Sequence, residues 1–399
     1  GAGSGKTTVL INRIANLLKY GRASDSENVP AGATEEDIKK MQDGGEEGRR
    51  IAALDPVEPW RILAITFTNK AAGELKARLE NMLGSEANDI WACTFHSACV
   101  RILRRDAEKL GFPSNFSIYD TSDSTSLIKH IIKDFNLDDK TYAPKVVLGA
   151  ISRAKDQQIG AQEYLRQAKA SGDLFRSKTG EIYAEYMRRM FAAGAMDFDD
   201  LIFFTVQLLQ EHEDARTYWQ RRFRYVLIDE YQDTNRLQYL LSSLLAGGFG
   251  NICVVGDDDQ SIYKFRGADI TNILNFEKEY KGCRTIRLEQ NYRSTQNILD
   301  AANAVIKNNT GRKGKTLWTD AGAGDRVLIK TVFNEQDEAN FVVSSIMMDY
   351  NRGRNWKENA ILYRMNAQSN ALEYAFKRNG VPYQVVGGTK FFERAEVKD

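Results

Sequence analysis

The segment Gly1-Ala2-Gly3-Ser4-Gly5-Lys6-Thr7-Thr8 decides the fold class, because it joins a glycine-rich turn to an amphipathic run. Leu10, Ile14, Leu17 and Leu18 follow it at helical spacing. In such a turn the backbone N–H groups can point at a phosphate chain, while a lysine neutralises the β- and γ-phosphates and a threonine hydroxyl can ligate Mg²⁺. The segment therefore predicts a phosphate-binding loop, although Gly-Lys-Thr alone also occurs in plain turns.

A second segment, Val226-Leu227-Ile228-Asp229-Glu230, supplies the complementary half of such a site. It has the composition of a buried strand that ends in two carboxylates. We expect Asp229 to hold hydrated Mg²⁺ and Glu230 to act as general base toward an attacking water. Two adjacent carboxylates at a strand end are more often merely solvated, and it is the glycine-rich loop that favours the catalytic interpretation.

Short apolar runs recur along the chain, each followed by helical or loop sequence, and several have β-branched cores without alternation. This pattern predicts a parallel, doubly wound α/β sheet whose strands are buried on both faces. The predicted strands are residues 62–66, 90–94, 225–229, 252–256, 285–288, 326–332, 360–364 and 383–386. Helices are predicted at residues 35–41, 124–135, 181–193, 335–350 and 369–379.

Composition narrows the class of protein. The chain has 399 residues, 42% hydrophobic and 27% charged, which is typical of a globular protein with a core. The four cysteines form no C-x-x-C pair and only three histidines occur, so a metal or iron–sulfur centre is disfavoured. No apolar stretch reaches about 18 residues, the length of a membrane span. The net charge of +1 means that any contact with DNA must come from a local patch.

The run Asp229-Glu230-Tyr231-Gln232-Asp233-Thr234 resembles the Walker B motif of the UvrD/PcrA/Rep group of superfamily 1 DNA helicases. Further segments resemble motifs of that family in the expected order, and together they span nearly the whole chain except residues 21–58. They are residues 64–72, 94–97, 197–201, 255–268, 288–295 and 387–399. For Asp197-Phe198-Asp199-Asp200-Leu201 we favour helix capping and interdomain contacts over a metal site.

The resemblance implies a site for ATP and Mg²⁺. Gln260 is expected to sense the γ-phosphate, Arg293 to contact it from the second domain, and Tyr292 to stack on the adenine. Thr7 and Asp229 are the expected magnesium ligands. The phosphate-binding residues that it implies are Gly3, Ser4, Gly5, Lys6, Thr7 and Thr8.

The resemblance also implies a track for single-stranded DNA. Its expected lining is Phe67, Tyr263, Phe265 and Arg266, while Asn69, Lys70 and His96 are expected to contact the DNA backbone. Aromatic rings stack on unpaired bases of any sequence, at ~1–3 kcal/mol per base, which supports the assignment on physical grounds. Core packing is the alternative for the three aromatic side chains. Phe265 departs from the family, which usually has tryptophan there.

By the same resemblance, residues 1–98 and 196–290 are expected to form a first RecA-like ATPase domain, with residues 21–58 as a surface insertion. Residues 99–195 would form a helical accessory subdomain, and residues 291–399 part of a second RecA-like domain. We expect the sequence to be an N-terminal portion that lacks the later motifs, including a final arginine motif, so that on its own it would hydrolyse ATP slowly. Such arginines contribute ~10³–10⁵ in rate at comparable sites.

The function implied is that of an ATP-dependent DNA helicase or translocase with 3′-to-5′ polarity, acting in DNA repair or replication in the bacterial cytoplasm, in association with the nucleoid. Single-stranded DNA and duplex/single-strand junctions are the expected partners, together with repair or replication proteins. A non-catalytic module that binds ATP and DNA remains an alternative, as does a recombination helicase–nuclease. A small-molecule kinase fails on size, on the aromatic track and on Gln232-Asp233 after the carboxylate pair.

Overall fold

A computed structural model describes residues 1–22, 24 and 28–386, except for the side chain of Arg266. The predicted motif at residues 387–399 and the DNA contact of Arg266 therefore lie outside the described part. Contacts divide the chain into two compact units, Gly1–Asp325 and Arg326–Asp399. In the part that the structure describes, every helix is too short or too polar to cross a lipid bilayer.

Within the described residues, six strands form two parallel sheets. The strands are β1 (Ile62–Thr66), β2 (Trp91–Thr94), β3 (Ser117–Tyr119), β4 (Ala195–Asp197), β5 (Tyr225–Ile228) and β6 (Ile252–Val254). The main sheet has the order β2-β1-β5-β6, with Ile65 in register with both Cys93 and Ile228. The small sheet pairs β3 with β4. All four strands predicted before residue 280 are thus confirmed, as is the parallel α/β class.

Burial on both faces explains why β1 and β5 have nearly continuous apolar sequences. Leu63 and Ile65 point into a core formed with the helices at residues 95–106, 198–211 and 236–246. Ile62 and Ala64 point into a core formed with the helices at residues 6–19 and 69–83. Side chains alternate across a strand, so a sheet covered by helices on both faces needs apolar residues at every position.

Seventeen α-helices, numbered in chain order, accompany these strands in the described residues. They are α1 (Lys6–Lys19), α2 (Glu35–Asp43), α3 (Glu46–Ile51), α4 (Asn69–Leu83), α5 (Phe95–Asp106), α6 (Thr121–Asp134), α7 (Pro144–Asp156), α8 (Ala161–Ser171), α9 (Leu174–Ala192), α10 (Phe198–Glu211), α11 (Glu213–Arg222), α12 (Arg236–Ala246), α13 (Thr271–Leu274), α14 (Phe276–Glu279), α15 (Gln296–Ile306), α16 (Glu335–Asn351) and α17 (Ser369–Arg378).

Helices α6 to α9 pack around a core of their own, which includes Ile128, Ile151 and Tyr183. The predicted helices at residues 124–135 and 181–193 fall within α6 and α9 to within one residue at their ends. The domain boundaries themselves remain predictions.

The segment before β1 carries α2 and α3, which pack against each other on the surface. Thr34 caps α2 through a reciprocal capping box with Asp37, and no residue of α2 is buried. Backbone bonds from Arg22 to Leu54 and from Leu54 to Tyr20 close the base of the segment. The helix predicted at residues 35–41 is confirmed.

The strands predicted at residues 285–288, 326–332, 360–364 and 383–386 are not formed in the structure. After β6 the described residues contain only an isolated bridge between Gln290 and Trp318. Leu328, Ile329 and Leu362 are exposed rather than buried. A β-strand needs a neighbour for its backbone hydrogen bonds, and an apolar run alone does not supply one. The helices predicted alongside these strands are confirmed as α16 and α17.

Candidate nucleotide site and adjoining groove

The glycine-rich loop turns into α1 through two residues with left-handed backbone conformation. Gly3 has φ +62° and Gly5, the N-cap, has φ +76°, a region that only glycine enters at little cost. Gly3 also permits a close approach, since a Cβ there would lie 2.6 Å from Nδ2 of Asn291. Ser4 is buried and donates to the carbonyl of Gly1 at 2.6 Å, whereas Thr8 is exposed.

Lys6, Thr7 and Asp229 converge at the start of α1. The buried Nζ of Lys6 lies 3.3 Å from the carbonyl oxygen of Gly1 and 3.9 Å from Oδ2 of Asp257. The Thr7 hydroxyl donates to Oδ2 of Asp229 at 2.8 Å. Burial raises the pKa of Asp229 above its ordinary value, against the lowering effect of the Thr7 hydrogen bond. The two segments that the sequence predicted to form one site are therefore in direct contact.

Glu230 follows β5 in a left-handed conformation, with φ 51° and ψ 41°. A non-glycine residue rarely adopts this conformation, and strain of this kind clusters at functional sites. Its Oε2 accepts a hydrogen bond from Nε2 of Gln232 at 2.9 Å, while the next residue, Tyr231, donates its N–H to the carbonyl of Val255. The backbone thus turns Glu230 away from the strand axis at the carboxyl end of the sheet.

Residues 288–293 lie directly against the glycine-rich loop. Asn291 donates from Nδ2 to the carbonyl of Ala2 at 2.7 Å, and Tyr292 donates its N–H to the carbonyl of Gly3 at 3.0 Å. The Cβ of Arg293 would be 2.9 Å from a Cβ on Gly3. The ring of Tyr292 is 72% exposed, with its hydroxyl donating to Gln290 at 2.9 Å. Both side chains implied by the resemblance therefore lie beside the loop.

A groove of about 1180 Å³ runs along the carboxyl ends of the strands. Glu230 and Gln260 line one part of it. The side chains predicted to contact DNA that line the remainder are Phe67, His96, Tyr263 and Phe265. Asn69 and Lys70 do not line it, and are instead exposed in the first turn of α4.

The aromatic side chains of the groove differ in burial. Phe67 is half-buried and packs edge-to-face on Phe95, with 5.6 Å between ring centroids. Phe265 is 69% exposed, and its ring centroid lies 6.1 Å from that of Tyr263. Core packing therefore accounts for part of Phe67 but not for Phe265.

The opposite wall of the groove comes from α7 and the start of α10. Asp156 on α7 accepts a hydrogen bond from Nδ2 of Asn235 at 2.8 Å. The wall is fixed from behind by Lys155, which is fully buried and bonds to Asp197 at 2.6 Å and to Asp200 at 2.7 Å. Asp197 also caps α10 by accepting from the N–H of Asp200, so the predicted capping role is confirmed.

Family models for two adjoining domains match the chain. The UvrD/REP helicase N-terminal domain matches residues 1–281, and the UvrD-like helicase C-terminal domain matches residues 286–399. This chain belongs to the UvrD/REP helicase family.

Three bacterial proteins named ATP-dependent DNA helicase PcrA illustrate the similarity. The chain is 47% identical to the protein of Staphylococcus epidermidis over 399 residues, 46% to that of Bacillus subtilis over 400 and 45% to that of Staphylococcus aureus over 399. Each comparison covers the whole of this chain, but only 50%, 49% and 50%, respectively, of the length of the relative. The chain thus spans about half the length of the curated relatives it matches.

Asp257 is a central residue of this helicase-family site that sequence reasoning missed. Its N–H donates to Oε1 of Gln232 at 2.8 Å, and its carboxylate accepts from Gln260 at 2.5 Å and from Lys315 at 2.5 Å. Burial alone would raise the pKa of Asp257, but the hydrogen bonds from Lys315 and Gln260 outweigh it and lower the pKa below its ordinary value. Hydrogen bonds thus connect Glu230 to Gln260 through the side chain of Gln232 and through Asp257, whose backbone N–H bonds to Gln232 and whose carboxylate bonds to Gln260.

The neighbouring carboxylates could be mistaken for a metal site, because oxygens of Asp257, Asp258 and Asp259 lie within 4.8 Å of one another. Each of them is paired with Lys315, and Arg312 bonds to Asp259 at 2.8 Å. Cationic side chains therefore balance the charge of this triplet, which we do not assign to a metal.

Proposed function

We propose that this chain forms part of an ATP-driven motor that moves along single-stranded DNA and unwinds duplex. One observation carries the proposal: a single groove is lined both by polar side chains suited to ATP hydrolysis and by aromatic side chains suited to stacking on bases. The former are Glu230 and Gln260, and the latter are Phe67, Tyr263 and Phe265. Hydrolysis chemistry and base stacking would then share one cavity. The names of the relatives, all ATP-dependent DNA helicases, support the same activity for the whole protein.

The geometry supports a magnesium–ATP site of the expected kind. The Thr7 hydroxyl and the Asp229 carboxylate, 2.8 Å apart, are both oxygen donors of the type that Mg²⁺ prefers. When bound, the ion would neutralise charge on the phosphates. Lys6 would bind the β- and γ-phosphates, Glu230 would accept a proton from the attacking water, and Arg293 would add positive charge from the segment beside the loop.

We further propose that binding is indifferent to base sequence. Aromatic rings can stack on any base, because every base has a π-face. Duplex/single-strand junctions and a role in repair or replication follow from the family and remain proposals, as do the 3′-to-5′ polarity, the domain boundaries at residues 98, 195 and 290, and protein partners.

Coupling between ATP and DNA is proposed to run through residues 256–268. Gln260 is joined to Asp257, which is itself 3.9 Å from the lysine of the phosphate-binding loop. Tyr263 and Phe265 follow within five residues and line the groove. A change in nucleotide state that alters the Gln260–Asp257 contact would therefore shift side chains that stack on DNA. Both ligands would bias one element, which is the physical requirement for coupling.

Replacing Gln260 by alanine tests this proposal in the longest natural chain that contains residues 1–399. DNA affinity without nucleotide should stay within about twofold, while stimulation of ATP hydrolysis by oligo-dT should fall by ~10-fold or more. Phosphate release with and without oligo-dT is the measurement. Gln167→Ala, an exposed glutamine on α8, is the matched control. Intact stimulation with a lowered basal rate would make Gln260 a catalytic-site residue only and place coupling elsewhere.

A second prediction concerns the acidic wall of the groove. Burial, with a smaller effect of Asp199, raises the pKa of Asp156 to about 6. The carboxyl is therefore neutral below that pH and negative above it, so it repels DNA phosphates only at higher pH. Burial also lowers the pKa of His96, and its protonation on acidification would favour DNA in the same direction.

We therefore expect the affinity for oligo-dT to fall roughly threefold as the pH rises from 5.3 to 7, at constant ionic strength. Fluorescence anisotropy with labelled oligo-dT measures it. Asp156→Asn keeps the acceptor for Asn235 but cannot ionise, so the pH dependence should become flatter. Asp139→Asn, on an exposed loop, should behave as the parent. An unchanged pH profile in Asp156→Asn would show that this carboxyl does not face the bound strand.

A further inference from the structure

Three arginines and two tryptophans alternate at the end of the main sheet that lies away from the nucleotide site. The guanidinium of Arg222 is stacked 5.2 Å from the ring centroid of Trp91 and 5.5 Å from that of Trp60. Arg101 lies 5.0 Å from Trp91, and Arg61 lies 5.0 Å from Trp60. We call Arg101, Trp91, Arg222, Trp60 and Arg61 the arginine–tryptophan row.

The row is built on a rigid base. Trp91 is the first residue of β2, and its ring packs on two buried side chains, Trp219 at 5.6 Å and Phe223 at 5.1 Å. Trp60 lies two residues before β1, and Arg222 three residues before β5. Because the strands fix these positions, the guanidinium groups are held in place before any ligand arrives, which reduces the entropic cost of binding.

The charges of the row are poorly compensated within the protein. Among residues 1–22, 24 and 28–386, no carboxylate lies within 4.0 Å of the Arg101 or Arg222 guanidinium, and Nε of Arg222 is buried without a hydrogen-bond partner. Arg61 has one partner, Glu58 at 3.7 Å. Folded proteins usually satisfy buried polar groups, so the unpaired Nε adds to the lack of compensation of the Arg222 charge within the protein.

We propose that the arginine–tryptophan row binds an extended acidic peptide segment of a partner protein. A guanidinium presents its N–H groups as a fork that matches a carboxylate in a bidentate manner. Arginine and tryptophan are also the side chains that contribute most at protein–protein interfaces. In an extended peptide alternate side chains point to the same side, so successive carboxylates can meet successive arginines.

The observations favour a peptide over DNA. Guanidinium groups already lie over the rings of Trp60 and Trp91, at 5.0 to 5.5 Å from their centroids, and so occupy ring surface on which a base would have to stack. The exposed carboxylates of Glu58, Glu86 and Asp89 lie on the segments that precede β1 and β2. A DNA strand carries a charge at every nucleotide and would meet them, whereas a peptide can carry carboxylates only opposite the arginines.

The row is separate from the proposed motor site. Four of its residues lie at the amino ends of β1, β2 and β5, and Arg101 of α5 lies over the ring of Trp91, while the groove lies at the carboxyl ends of the strands. The five residues of β1 span about 16 Å at ~3.3 Å per residue. A peptide bound to the row would therefore leave the groove open, and this inference does not depend on the proposed function.

The test uses a fluorescein-labelled peptide that alternates glutamate with threonine and has about 12 residues. We expect saturable binding in fluorescence anisotropy, which Arg101→Gln/Arg222→Gln weakens by ~10-fold or more. Arg222→Lys should also weaken it, because lysine keeps the charge but loses the planar fork. Arg176→Gln, which removes a guanidinium stacked on Tyr164 elsewhere, should bind as the parent does.

Two further measurements separate the alternatives. A peptide with glutamine in place of glutamate should not bind, and oligo-dT should not displace the acidic peptide. Absence of binding to the acidic peptide, equal binding by the double variant, or displacement by oligo-dT would each overturn the proposal. The proposal would also be overturned if the double variant lost affinity for duplex DNA but kept its affinity for the peptide, because the row would then be a nucleic-acid contact. An unchanged melting temperature for the double variant shows that it is folded.

Discussion

Replacing Glu230 by glutamine is expected to preserve ATP–Mg²⁺ binding and to lower turnover by ~10²–10⁴-fold. Glutamine keeps the size of the side chain and can still bond to Gln232 after its amide rotates, so the left-handed turn after β5 should persist. What it loses is the ability to accept a proton from water. The loss should therefore appear in kcat, while the dissociation constant for nucleotide changes little.

The measurement combines steady-state phosphate release with calorimetric titration of ATP–Mg²⁺, in the longest natural chain that contains residues 1–399. Glu213→Gln, an exposed carboxylate at the start of α11, is the matched control and should retain full turnover. Near-normal kcat in Glu230→Gln would mean that another group is the base. Asp233 would then be the first residue to test, because burial raises its pKa to about 6 and it lies beside Gln232.

The strands of the main sheet could be predicted from sequence because their signal is local. β5 is apolar throughout and β1 is apolar except for its last residue, Thr66, and both faces of the sheet are covered by helices. The predicted strands at residues 326–332 and 360–364 have similar composition but do not form, because pairing depends on a neighbour that the run itself does not specify. An apolar run identifies a segment that can pair but does not identify its partner.

The contacts of the candidate nucleotide site could likewise be predicted only where sequence motifs supply both partners. The contact between Thr7 and Asp229 joins two motifs whose chemistry is visible in the sequence. The role of Asp257 was not predictable, since it depends on Lys315, which lies 58 residues away along the chain and has no motif of its own. Nor did the sequence indicate that Lys155 would be buried between two carboxylates. Both are tertiary arrangements of ordinary polar residues, and only an unexpected burial reveals them.

Lys6→Ala is expected to weaken ATP–Mg²⁺ binding by ~100-fold or more, because it removes the buried positive charge nearest the proposed phosphate position. The structure gives two reasons for a loss of this size. Lys6 is only 8% exposed, so water would replace its ammonium group poorly. The nearby carboxylates of Asp229 and Asp257 would also remain and repel the nucleotide; Asp257 is 3.9 Å from the lysine. Lys19→Ala, at the exposed end of the same helix, is the control and should leave the calorimetric dissociation constant unchanged. If Lys6→Ala binds ATP–Mg²⁺ as tightly as Lys19→Ala, the glycine-rich loop is not the phosphate site.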